Sequence, residues 1–290
     1  MVKIDFVVPL VFPDDKEWQE SYLNSKACMC NAVDNVRFRS WGTEELLIKC
    51  VDRFMPWVNT IHILLAQESQ YKDWMKPYHI VYHRDFIPQH LLPCFNVCTF
   101  EMFLHKIPNL SEHFIYSNDD FFPIAPLSMD DFFRDGLPCQ HCQELAYPFF
   151  PNIFHKLVMH GLNMISADFG KHFSKHWMHC GHSMQPMLKS TVEVVCAKHH
   201  KEIEKSFTPN RSKRNLNQYI FPFYQHFSGR YVDYVPKRKY LGQAQTLQEI
   251  VDAIRSTDAS IVCINDHENI YDWEERARIV REELAKKLES

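Results

Sequence analysis

Two short apolar runs in this chain end abruptly in the same dipeptide, and they constrain its folding more than anything else in the sequence. The first is Phe114-Ile115-Tyr116-Ser117, which passes into Asn118-Asp119-Asp120. The second is Ile261-Val262-Cys263-Ile264, which passes into Asn265-Asp266. β-branched and aromatic runs of this length read as buried strands, and an Asn-Asp pair ends them. An Asx turn capping a strand is the ordinary reading of one such pair. Two of them suggest strand ends gathered at one edge of an open α/β sheet, where ligands bind. Carboxylates and amides placed there are hard oxygen donors of the kind that Mg²⁺ or Mn²⁺ takes.

The rest of the pattern agrees with an α/β fold. Strand-like segments at residues 3–9, Thr60–Ala66, His79–Tyr82 and Phe114–Ser117 alternate with helical spacing at Glu44–Phe54 and Val97–Ile107. Such alternation predicts a mostly parallel sheet with crossover helices. Further helices are expected at 149–162, 184–200, 216–227, 246–255 and 272–288, the fourth opened by a Thr246/Glu249 capping box and the last by Asp272/Glu275. The expected organisation is a single domain over residues 1–290, its middle part (about 136–245) largely helical and covering the acidic edge.

Composition narrows the function classes. The 290 residues are 46% hydrophobic and 23% charged, which predicts a packed core. A formal net charge of -4 gives no case for nucleic-acid binding. With only 7 glycines there is no glycine-rich phosphate loop, so bound phosphates would need metal or cationic side chains. No apolar run reaches the roughly 20 residues of a membrane span. The N-terminus lacks the pattern of a signal peptide, and the expected location is the cytoplasm. The ten cysteines are expected to be reduced. A zinc site is a minority expectation, drawn from His172, His176, His179, Cys180 and His182 with Cys139, His141 and Cys142 upstream.

Four blocks in order resemble the Stealth family of hexose-1-phosphate transferases. They are Ile4 to Pro9 with Asp15 and Trp18; Arg39-Ser40-Trp41 through His83-Arg84-Asp85 to Asn118-Asp119-Asp120; His182 to Lys189-Ser190 with Arg211 and Asn217-Gln218-Tyr219; and Cys263-Ile264-Asn265-Asp266. Departures from the family pattern lie at Leu10 to Pro13, at Gly42 and at Gln67 to Gln70. The resemblance implies a glycosyltransferase-like fold and a UDP-sugar donor, GlcNAc or a similar hexose. It also implies a saccharide acceptor, UMP as the product, and association with membrane-bound polysaccharide machinery at the inner face of the membrane. Carried onto this sequence, it assigns His182 as general base, with Asp120, Arg211 and Asp5 as its catalytic companions. Asp119, Asp120 and Asp266 are the expected metal ligands for Mg²⁺ or Mn²⁺, and Lys189, Asn118, Asn265 and Gln218 the expected donor contacts. Two alternatives stand beside this: a metal-dependent glycosyltransferase releasing UDP, and a non-catalytic carbohydrate-binding assembly protein.

Overall fold

A computed structural model describes residues 2–28, 38–242, 245–256, 258–266 and 270–289. Its centre is a parallel sheet of β1 (Ile4–Pro9), β2 (Ile61–Leu65), β3 (His79–Tyr82) and β4 (His113–Tyr116), in the order β4-β1-β2-β3. The strands are buried on both sides, as a sheet between two helical layers requires. Phe6, Val8, Ile63 and Ile115 alternate onto one face, in a cluster with apolar residues of helices Glu44–Phe54, Leu247–Arg255 and Trp273–Glu289. Val7, Leu64, Val81, Phe114 and Tyr116 point to the other face and pack with helices Ile153–Ala167 and Ile220–Phe227. The α/β class expected from the alternation is the one observed. No helix among the described residues is long and apolar enough to cross a membrane.

A second, three-stranded sheet carries the other acidic end. β5 (Phe121–Pro123) follows Asp120 directly and pairs antiparallel with the strand Ile261–Ile264, with Phe121 opposite Cys263. That strand in turn pairs in parallel with Arg238–Leu241. The two Asn-Asp ends therefore meet, but not as neighbouring strands of one parallel sheet. An antiparallel strand of three residues turns the chain from one acidic end toward the other, and Ile264 N donates to Asp120 O at 2.8 Å.

The middle of the chain mixes strands with helices. β6 (Gln185–Leu188) adds antiparallel to β4 at the edge of the central sheet. A helix was expected there, with Pro186 in its first turn. Proline is equally at home on an edge strand, and here it sits opposite Ile115; the helix begins only at Lys189. A ribbon pairs Gln143–Ala146 with His176–His179. Its register sets Cys142 and Cys180 opposite each other just beyond the ends, and they form a disulfide. This corrects the expectation of reduced thiols for these two, whereas Cys50, Cys94, Cys98, Cys139, Cys196 and Cys263 keep free thiols. It also removes the zinc expectation: Cys142 and Cys180 are bonded to each other, and His176 lies on a strand, not one helical turn from His172. Strands β7 (Arg238–Leu241) and β8 (Ile261–Ile264) complete the scaffold of the site.

Candidate active site

A cleft of about 950 Å³ opens at the C-terminal ends of β1, β4 and β8. Asn118, Asp119, Asp120, His182, Arg211, Gln218, Asn265 and Asp266 all line it. Of the residues singled out in the sequence, Asp5 and Lys189 do not.

Asp5 lies near the start of β1, about 13 Å along the strand from Pro9 at the cleft. Its carboxylate is inaccessible and accepts from Asn59 Nδ2 at 2.8 Å and Ser111 N at 2.7 Å, with His62 Nε2 at 3.1 Å. Burial works to raise its pKa, but the bonds from His62, Asn59 and Ser111 outweigh it and hold the carboxyl below its ordinary range. This is a structural carboxylate tying β1 to β2 and to the segment before β4. Lys189 fails for a topological reason. β6 runs antiparallel to β4, with Gln185 opposite Tyr116 and Leu188 opposite His113, so the chain travels away from the cleft before reaching Lys189. Lys189 N donates to Glu112 O at 2.8 Å, at the far end of β4.

Asp120 is the hub of the site. Its Oδ2 lies 3.3 Å from His182 Nε2 and accepts from Cys263 Sγ at 3.3 Å and Asn265 Nδ2 at 3.4 Å. Its Oδ1 is buried and has no hydrogen-bond partner among the described residues, and the same is true of Asn118 Oδ1. Unmatched buried oxygens in a cleft are acceptors that a bound donor or cation would satisfy. Asp119 is exposed in the cleft; the protein packed around it, then the nearby Asp120 and Glu44 carboxylates, push its carboxyl upward.

His182 follows Gly181, whose φ of +67° turns the backbone in toward the cleft. The Cys142–Cys180 bond anchors that turn. The imidazole packs edge-on against Phe121, with ring centroids 4.6 Å apart, and its Nδ1 is 3.5 Å from the Tyr219 hydroxyl. A histidine held at one nitrogen by a carboxylate is oriented to exchange a proton at the other.

Arg211 stands on a loop that two asparagines fasten. Asn215 Oδ1 accepts from Ser212 N at 2.6 Å, its Nδ2 donates to Ser206 O at 2.6 Å, and Asn96 Nδ2 donates to Thr208 O at 2.9 Å. Below it, Glu101 is buried, accepting from Gln218 N at 2.9 Å. Burial pushes the Glu101 carboxyl up to about 7, against the opposing pull of Gln218 N–H and Arg211.

The expected metal set does not assemble as a trio. Asp266 accepts from Arg39 at both oxygens, Nε to Oδ2 at 2.7 Å and Nη2 to Oδ1, and that guanidinium lies 5.1 Å from the Trp273 ring. Among the described residues, the ligating atoms that come within 4.8 Å of one another belong to Asp120, His182 and Cys263. Cys263 suits a hard cation poorly, because burial and Asp120 drive its thiol far above the ordinary range and keep it protonated. The oxygens of Asn118, Asp119 and Asp120 are the hard donors that fit Mg²⁺ or Mn²⁺.

Three contributors had little or no signal in the sequence. Arg39 and Glu101 were visible only as members of a matching block, with no role attached. Arg238 lies in Pro236-Lys237-Arg238-Lys239, a basic segment that carries no expectation, yet its side chain reaches the cleft.

Comparison with known proteins adds a family to this geometry. Residues 37–140 match the family model described as Stealth protein CR2, conserved region 2. The chain is 31% identical to the receptor polysaccharide phosphotransferase WefC of Streptococcus gordonii, across 94% of this chain and 93% of that one. It is 27% identical to the capsular polysaccharide phosphotransferase WcwK of Streptococcus pneumoniae, across 98% and 96%. It is also 30% identical to the capsular polysaccharide phosphotransferase fcs1 of Haemophilus influenzae, across 80% and 67%.

Proposed function

Because this chain belongs to the Stealth family of polysaccharide phosphotransferases, we propose that it moves a hexose-1-phosphate, GlcNAc-1-phosphate in the first instance, from a UDP-sugar to a hydroxyl of a saccharide acceptor. The acceptor oxygen forms a bond to the phosphorus that carries the sugar. The bond from that phosphorus to the bridging oxygen breaks, and UMP leaves with the electron pair. The product is a phosphodiester within a capsular or other cell-surface polysaccharide, made at the cytoplasmic face of the membrane.

The observation that carries this reading is the convergence of the His182–Asp120 pair, Arg211 and two unmatched oxygens in one cleft. Asp120 holds His182 at Nε2, so Nδ1 takes the acceptor proton, beside the Tyr219 hydroxyl. Arg211 has a planar fork of donors suited to a phosphoryl group. Gln218 and Asn265 border the same space. Asn118, Asp119 and Asp120 would hold Mg²⁺ or Mn²⁺, which when bound neutralises charge on the diphosphate. The rate comes from positioning and charge stabilisation, since phosphoryl transfer asks little covalent chemistry of the protein.

Incubation with UDP-sugars and a saccharide acceptor, followed by separation of nucleotides, tests the proposal. UMP formed in step with acceptor modification is the expected result. UDP as the only nucleotide product would mean ordinary glycosyl transfer, and no turnover with any UDP-sugar would leave a binding protein.

A further inference from the structure

Arg238 is a half-buried cation with no counter-ion among the described residues. It opens β7, and its side chain enters the cleft beside His179, Gly181, Tyr219 and Tyr240. Its Nη1 is buried with no hydrogen-bond partner. The charged and polar groups that act on it are Tyr219, Cys263 and His179, none of them an anion at neutral pH. The remaining arginine of comparable burial in the cleft, Arg39, has its carboxylate in Asp266. A guanidinium that has lost water and gained no acceptor costs free energy until an anion arrives.

The backbone beside it is shaped to receive it. A Cβ on Gly181 would stand 2.2 Å from Arg238 Nη2, and Gly181 holds φ at +67°, a region that other residues rarely enter. Glycine there satisfies the turn and leaves room for the guanidinium. The next residue is His182, so the Arg238 guanidinium lies beside the turn that presents the imidazole.

We infer that Arg238 is a phosphate-positioning residue: it binds the diphosphate of the donor from β7, an element separate from the loop that carries Arg211. This rests on the proposed UDP-sugar chemistry and adds a residue to it. Two arginines gripping one diphosphate from different elements fix the orientation of the phosphorus, which a single clamp does not. Gly181 is part of the same device, because any side chain there displaces the guanidinium.

The test is binding of UDP and of uridine, measured by calorimetry in EDTA, for wild type, Arg238→Ala and Arg238→Lys. The wild type should bind UDP more tightly than uridine. Arg238→Ala should weaken UDP by roughly 10- to 100-fold, the loss of a charge-assisted pair, and leave uridine within twofold. An equal loss for both ligands would mean a structural role and overturn the inference. Should Arg238→Ala fail to fold by circular dichroism, Arg238→Lys decides. Lysine keeps the charge but not the fork, so UDP should weaken at least fivefold with uridine unchanged; wild-type UDP affinity would overturn the inference. Inorganic phosphate as competitor separates a free-phosphate site from a nucleotide site: millimolar phosphate that displaces UDP poorly is expected, and phosphate binding tighter than UDP would refute a donor role. The outcome is separable from the function itself. If UDP does not outbind uridine but UMP is released, the Arg238 inference falls and phosphotransfer stands. If UDP binding depends on Arg238 but UDP is the sole product, the reverse holds.

Discussion

Replacing Asp5 by alanine should unfold the protein more easily without touching the chemistry of what stays folded. The structure gives the magnitude. Three donors converge on this inaccessible carboxylate: Asn59 Nδ2 at 2.8 Å, Ser111 N at 2.7 Å and His62 Nε2 at 3.1 Å. Alanine leaves His62 Nε2 without its partner in the dry interior, whereas Asn59 is exposed and Ser111 partly so and both can turn to water, so the cost falls at the low end of the range for a broken buried charged network, about 3 kcal/mol. With a urea slope of about 3 kcal/mol/M, at the upper end of the usual range, the unfolding midpoint should fall by roughly 1 M. The pH dependence has a definite sign. The folded-state pKa of Asp5 is depressed, so its contribution is present above the unfolded value of about 3.9 and is lost as pH falls through the lower folded value. Asp5→Ala should lack that acid-side step. The assay pairs urea denaturation, followed by tryptophan fluorescence, with kcat measured well below the unfolding transition, and kcat should stay within about threefold of wild type. A kcat loss of about 100-fold or more with an unchanged midpoint would refute the reasoning and return Asp5 to the reaction.

Asp120→Asn should abolish turnover, and chelator should do the same to the wild type, while the circular dichroism spectrum stays native; activity surviving both would remove Asp120 and the cation from the mechanism. His182→Ala should lower kcat by roughly 10²–10⁴-fold, the usual cost of a lost general base, with little change in donor KM. Arg211→Ala should raise KM as well, because a phosphate clamp acts in the ground state and in the transition state. Glu101 titrates near 7 when folded and near 4.3 when unfolded. The folded state therefore binds the proton more tightly, and stability should decline as pH rises from about 4.3 to 7 and then level off. Melting temperatures of Glu101→Gln across that range should show a shallower decline than wild type, and an identical slope would exclude Glu101 as its source.

Much of this site was legible because local patterns and tertiary structure agree there. The runs ending at Ser117 and Ile264 are buried strands, and their polar ends do meet. The sequence could not reveal how they meet: β5 has three residues, too few to show any periodicity, yet its pairing with β8 carries Asn265 to Asp120. Residues 185–188 misled because Pro186 suits either a helix start or an edge strand, and only the pairing with β4 decides. That choice places Lys189 at the opposite end of the sheet from the cleft. Asp5 resembled a site residue by block and by chemistry, but a strand has two ends, and composition does not say which end holds the ligand. The Cys142–Cys180 bond follows from the register of a ribbon whose strands are far apart in sequence, and it is unusual for a reducing compartment. Arg238 was invisible because a basic segment and a half-buried clamp have the same composition.

The central claim is that phosphorus, and not only sugar, moves to the acceptor. A UDP-sugar carrying ³²P in the phosphate next to the sugar distinguishes the two directly. After reaction with a saccharide acceptor, the label should travel with the modified acceptor, resist phosphatase as a phosphodiester, and leave unlabelled UMP behind. Label retained quantitatively in UDP, with an unlabelled and elongated acceptor, would contradict it.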